Sequence, residues 1–86
     1  PGYFINTIPQ YSMIVREMDG NEFKDIKIFS KSSGSEQTTI YAEKGRLTSN
    51  GEIVILDLEN GEIHEIDLEN YNHYRKIKFS KKIMNE

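Results

Sequence analysis

Apolar residues recur at every second position in short stretches separated by turn-forming residues. Tyr11, Met13 and Val15 alternate with Ser12, Ile14 and Arg16, Ile26 and Ile28 with Asp25 and Lys27, and Thr38, Ile40 and Ala42 with Thr39, Tyr41 and Glu43. A period of two places successive side chains on opposite faces of a strand. The stretches are punctuated by Asp19-Gly20-Asn21, Ser32-Ser33-Gly34-Ser35, Asn50-Gly51 and Asn60-Gly61. Asn-Gly and Asp-Gly tolerate positive φ and are strong hairpin signals between apolar runs.

The pattern predicts a short entry strand over residues 3–7, interrupted by Pro9, and strands over 11–18, 22–30 and 37–44. A further piece, 46–48, follows a bulge at Gly45. Residues 52–59 are apolar on both faces through Ile53, Val54, Ile55 and Leu56, which suits a central strand or the meeting of two layers. Residues 62–68 return after a turn at Asn60-Gly61, with His64, Ile66 and Leu68 on one face. A last strand spans 71–80, and 81–86 could form one helical turn. Many short strands with even punctuation point to a sandwich, a barrel or a jelly roll.

Composition sharpens this reading. The chain has 12 Ile against one Ala, with five Tyr and four Phe, and β-branched and aromatic side chains pack best on a pleated surface. Its 86 residues make one domain with a thin core, since such a chain hides only about 60–65% of its unfolded surface. Cysteine is absent, which excludes disulfides and thiolate metal sites. A net charge of −3 gives no reason to expect a nucleic-acid partner. No apolar run approaches the roughly 20 residues that span a bilayer. The abrupt Pro1-Gly2 start and the polar Asn85-Glu86 end read as a soluble piece of a longer protein.

Candidate chemistry is sparse. His64 and His73 lie in strand-like segments with no nucleophile elbow nearby. His64, Glu65 and Asp67 cannot converge on a metal from one strand, because neighbours point to opposite faces. The acids at Asp57, Glu59, Glu62, Glu65, Asp67 and Glu69 alternate with apolar residues or flank a turn, as a solvated face does. Charge is nonetheless segregated: residues 52–69 hold seven acids and no Lys or Arg, while 75–82 hold five basic residues and no acid. Cross-strand pairing explains this; attraction of the basic stretch to anionic lipid or phosphate is the other reading. The apolar excess leaves two possibilities: a core that closes on itself, or an open groove ready for a strand or a lipid chain.

The order of motifs resembles the periplasmic domain of LptF/LptG (YjgP/YjgQ) permeases. Asn6-Thr7-Ile8-Pro9-Gln10-Tyr11-Ser12 is similar to that family's opening stretch, with Gln10 where the family carries glycine. Asp19-Gly20-Asn21-Glu22-Phe23-Lys24-Asp25-Ile26-Lys27-Ile28 resembles its first hairpin, and Ile40-Tyr41-Ala42-Glu43-Lys44-Gly45-Arg46-Leu47 its central strand. Leu56-Asp57-Leu58-Glu59-Asn60-Gly61 and Tyr74 to Phe79 are similar to its second hairpin and exit strand.

The resemblance implies an all-β, jelly-roll-like open β-sandwich of about seven to nine short antiparallel strands, cut from an inner-membrane permease and lying in the periplasm. It implies no enzyme activity and no cofactor. The implied partners are lipopolysaccharide, LptC-like and LptA-like β-jelly-roll domains, the paralogous permease subunit and an LptB-type ATPase. Lipid acyl chains would lie on an inner face for which Ile14, Ile26, Ile28, Ile40, Ala42, Ile55 and Ile66 are the candidates. Two other readings compete: a docking module that never touches lipid, and a carbohydrate-binding sandwich, disfavoured by the absence of Trp and the scattered tyrosines.

Overall fold

A computed structural model describes residues 2–6, 10–30 and 36–85, with Tyr71 described by its backbone alone. The described residues form six strands: β1 (Tyr3–Ile5), β2 (Tyr11–Asp19), β3 (Glu22–Ser30), β4 (Glu36–Asn50), β5 (Ile53–Asp67) and β6 (Asn70–Asn85). They pair antiparallel in chain order as one open sheet. The expected all-β, jelly-roll-like architecture is present, built from fewer and longer strands than the seven to nine anticipated.

Asp19 and Asn50 lead into tight turns as expected, with Gly20 at φ 63° and Gly51 at φ 66°. Asn60-Gly61 does not turn. β5 runs straight through it, with Asn60 alone in the left-handed region at φ 56°. Nor is there a register bulge at Gly45, since Lys44 pairs with Glu59 and Arg46 with Asp57 in one unbroken register. Residues 81–85 continue β6 and form no helical turn. The expected break at Pro9 and the loop over 32–35 lie outside the described residues.

The length of β4, β5 and β6 has a local cause. Each of five strands carries two adjacent polar residues that interrupt its alternation: Arg16-Glu17, Lys24-Asp25, Glu43-Lys44, Glu59-Asn60 and Ser80-Lys81, all exposed. The ladder registers align them. Arg16, Asp25, Glu43, Asn60 and Ser80 stand in one row across the sheet, and no bridging pair forms at any of them. Pairing resumes in the same register beyond the row, as Val15↔Ile26 before it and Glu17↔Lys24 after it show. Asp25 takes φ 54°, a left-handed value that Asp and Asn adopt more readily than other side chains.

Two successive outward residues reverse which alternate positions face inward. Val15, Ile26, Ala42, Gly61 and Phe79 point in on one side of the row; Phe23, Gly45 and Leu58 do so on the other. The sheet therefore creases and closes over its own apolar face. Leu56 and Leu58, 0% and 1% exposed, join Met13, Val15, Phe23, Ile26, Ile28, Ile40 and Ala42 in one core. Each large member contributes about 1.5–3 kcal/mol by leaving water. No polar or charged residue is buried among the described residues.

Charge follows the ladders. Glu59 faces Lys81, Glu62 faces Lys78 and Glu65 faces Arg75 across β5 and β6, with Arg75 Nη2 2.6 Å from Glu65 Oε1. The segregated acids and bases thus meet as cross-strand neighbours, the first of the two readings offered for them. Glu62 and Glu65 are half-buried and the other four groups exposed, so the pairs set register more than they add stability.

Three expected outcomes follow from this packing. A Cβ at Gly61 would strike the Tyr41 carbonyl oxygen and lie 2.6 Å from Phe79 Cζ, whereas at Gly45 its nearest atom is Ile26 Cδ1, the far end of a side chain and not backbone. Urea unfolding should therefore show Gly61→Ala losing about 2–3 kcal/mol and Gly45→Ala about 1 kcal/mol. Gln10 holds φ 68°. Gln10→Gly should gain roughly 0.5–1 kcal/mol in the same assay, the relief of a left-handed side chain less the added chain entropy. Arg46 Nη2 donates to Glu22 Oε1 at 2.8 Å, and this bond, then the guanidinium charge, lowers the Glu22 carboxyl below its ordinary 4.5. The pair's stabilisation is complete above that value and is lost as pH falls through the lower folded one. NMR titration should place the Glu22 midpoint below 4.5, and Arg46→Met should return it upward.

Candidate functional site

Four of the seven candidate inner-face residues come together. Ile26, Ile28, Ile40 and Ala42 are at most 5% exposed and share the core. The other three do not join them. Ile14, 39% exposed, sits between buried Met13 and Val15 and points the other way, opposite Lys27 in the ladder. Ile55 and Ile66 are half-buried on that same outer side: Ile55 precedes inward Leu56, and Ile66 pairs with Gln37 and Tyr74. Ile14 lies in the apolar run Met13–Val15 and Ile55 in the run 53–56, where alternation alone could not choose a face, while Ile66 alternates with Glu65 and Asp67 on the outward phase. Met13, Val15, Phe23, Leu56 and Leu58 were missed. The signal that finds them is the polar pair in each strand, which fixes where inward positions change parity.

The core is reached from outside through a cleft of about 390 Å³. Tyr11 and Ser30 line one wall, at the far end of the β2–β3 ladder, and Lys82 to Asn85 of β6 line another. The floor includes Ile40 and Ile63, and Ile40 is itself a core residue. Tyr11, Ile63 and Met84 both line the cleft and pack against the core. The cleft is thus an opening onto the apolar interior. Its polar rim carries Lys82 and Glu65, the latter accepting a 2.8 Å hydrogen bond from Arg75 Nε.

The outer face is built differently. His64 lies edge-on to Tyr41 with ring centroids 5.4 Å apart, and hydrogen-bonds Tyr74 Oη through Nδ1 at 2.5 Å and Glu62 Oε2 through Nε2 at 3.0 Å. Lys27 places its ammonium 4.8 Å from the Phe29 ring centre and 5.6 Å from that of Tyr41. His64 is therefore held by Tyr74 and Glu62 on a sheet surface. His73 is exposed near the β5–β6 turn. Among the described residues, no three His, Cys, Asp or Glu side chains are grouped to hold a metal ion, and no helix is long and apolar enough to cross a membrane.

What this arrangement offers chemically is shelter for apolar matter and a free strand margin. β6 pairs only with β5, so its other edge is unpartnered by the described strands along Asn70–Asn85. Comparison with known proteins agrees in kind. No curated protein gives a significant match. The family model for the lipopolysaccharide export system permease LptF/LptG matches residues 1–86. That family comprises inner-membrane transport permeases of the lipopolysaccharide export system and is not a family of enzymes. An all-β sheet whose apolar interior opens to a cleft, together with a family match along its whole length, establishes that the chain belongs to the LptF/LptG family.

Proposed function

We propose that this chain works in the periplasm, where it takes the acyl chains of lipopolysaccharide onto its inner face and passes them to a neighbouring β-jelly-roll domain. The observation that carries the proposal is the continuity between cleft and core, through Ile40, Ile63 and Met84. An acyl chain exposed to water costs about 0.8 kcal/mol per methylene, so a carrier must offer apolar contact along the whole path. The inner face offers Ile26, Ile28, Ile40 and Ala42, with no buried polar group among the described residues to compete for water. Handing the chain on requires a partner whose own apolar face continues this one. The free edge of β6 suits a partner strand added by backbone hydrogen bonds. The ATP-driven work belongs to the associated ATPase, and the residues described here bind and shelter.

Photo-crosslinking in the intact permease complex tests this. A benzophenone side chain at Ile63 or Met84 should capture lipopolysaccharide when ATP is supplied, and one at Ile14 or Ile66 on the outer face should capture far less. Adducts to protein alone from all four positions would leave a docking module and remove the lipid path.

A further inference from the structure

We infer that the crease is a hinge: residues 17–24, 44–59 and 81–85, joined by the pairs Glu22↔Arg46 and Lys24↔Lys44, form a lobe that swings about the row Arg16, Asp25, Glu43, Asn60 and Ser80 to open the cleft. The motion is argued from the crease alone; only its use in admitting an acyl chain rests on the proposed lipid path.

Four features of the crease favour bending there over bending elsewhere. No bridging pair crosses the row in any of the four ladders it traverses, so a bend along it leaves the pairing on both sides intact. Two of its residues, Asp25 and Asn60, already hold φ of 54° and 56°. A residue in that region can change its backbone angles without crowding a ladder partner, and a few such residues are enough to absorb a hinge rotation. The outward strip of ten residues is polar and exposed, so bending drags no apolar surface through water on the convex side. Finally, among the described residues no buried polar or charged group ties the lobe to the rest. Near the crease, contact runs through Ile26, Gly45 and Leu58, whose atoms meet by dispersion without directional bonds.

The last feature also gives the hinge its control. Swinging the lobe away exposes Leu56 and Leu58, now 0% and 1% exposed, and water opposes that. An apolar guest would cover the same side chains and remove the opposition. The closed form is therefore the resting state, and a bound acyl chain shifts the population toward the open one through its preference for the exposed face.

Spin labels at Gln37→Cys and Asn85→Cys, one on each side of the crease, report the distance by pulsed electron resonance in the intact permease complex. Lipid occupancy is followed separately by the photo-adduct at Ile63. A hinge gives a distribution with a short major and a longer minor component before lipid is added, and the longer component grows on adding purified lipopolysaccharide. Asn60→Gly, which keeps the left-handed angle accessible without a side chain, should preserve both components. A single narrow distribution in the unmodified chain and in Asn60→Gly, with or without adducts, overturns the hinge. Two components with no adduct at Ile63 would uphold the hinge and remove the lipid path.

Discussion

Two adjacent outward positions, repeated at one level of five strands, constrain everything else in this structure. A strand alternates faces residue by residue, so one step at which two neighbours such as Glu43-Lys44 or Glu59-Asn60 both face outward puts the following residues on the opposite parity. Were the pairs at different levels, neighbouring strands would disagree about which face is inside, and no continuous core could form. Because the ladders hold them in one row, the whole sheet changes parity together and folds toward its apolar side. The single sheet thereby supplies both layers of its own core, which is how 86 residues bury Leu56 and Leu58 without a second sheet or a helix to cover them.

Among the described residues, the interior made this way holds no buried polar side chain. Cohesion between the two halves is therefore non-directional and roughly proportional to the apolar area they share. The same property makes the interior compatible with a hydrocarbon guest, which can satisfy Ile28, Ile40 or Leu58 as well as those residues satisfy one another. Charge is kept to the outside, where Glu62, Glu65 and Glu59 face Lys78, Arg75 and Lys81 and hold β5 and β6 in register. On the proposed lipid path, membership of a lipopolysaccharide export permease family and an apolar interior with an entrance answer one physical requirement.

Much of this was legible in the sequence. The excess of Ile over Ala and the Asp19-Gly20 and Asn50-Gly51 turns are local signals, and they mark the all-β class and two hairpins correctly. The face shared by Tyr11, Met13 and Val15 was also readable from alternation. Asn60-Gly61 misled because the same tolerance of positive φ that makes a hairpin turn also permits one left-handed residue inside a strand; only the partners, Ala42 and Phe79 beside Gly61, decide between them. Ile14, Ile55 and Ile66 were assigned to the inner face because each strand was read alone. The polar pairs hold the missing information, but their meaning emerges only when five strands are set in register, a non-local fact.

Solution NMR of methyl contacts tests the creased sheet most directly. Ile26 and Leu58 belong to strands that do not pair with each other, yet both side chains converge on Gly45, where an added Cβ would lie 2.5 Å from Ile26 Cδ1 and 3.2 Å from Leu58 Cδ2. A folded sheet gives a nuclear Overhauser contact between the Ile26 and Leu58 methyls. Contacts confined to ladder neighbours, with Leu56 and Leu58 open to a soluble paramagnetic agent, would contradict the fold and the function built on it.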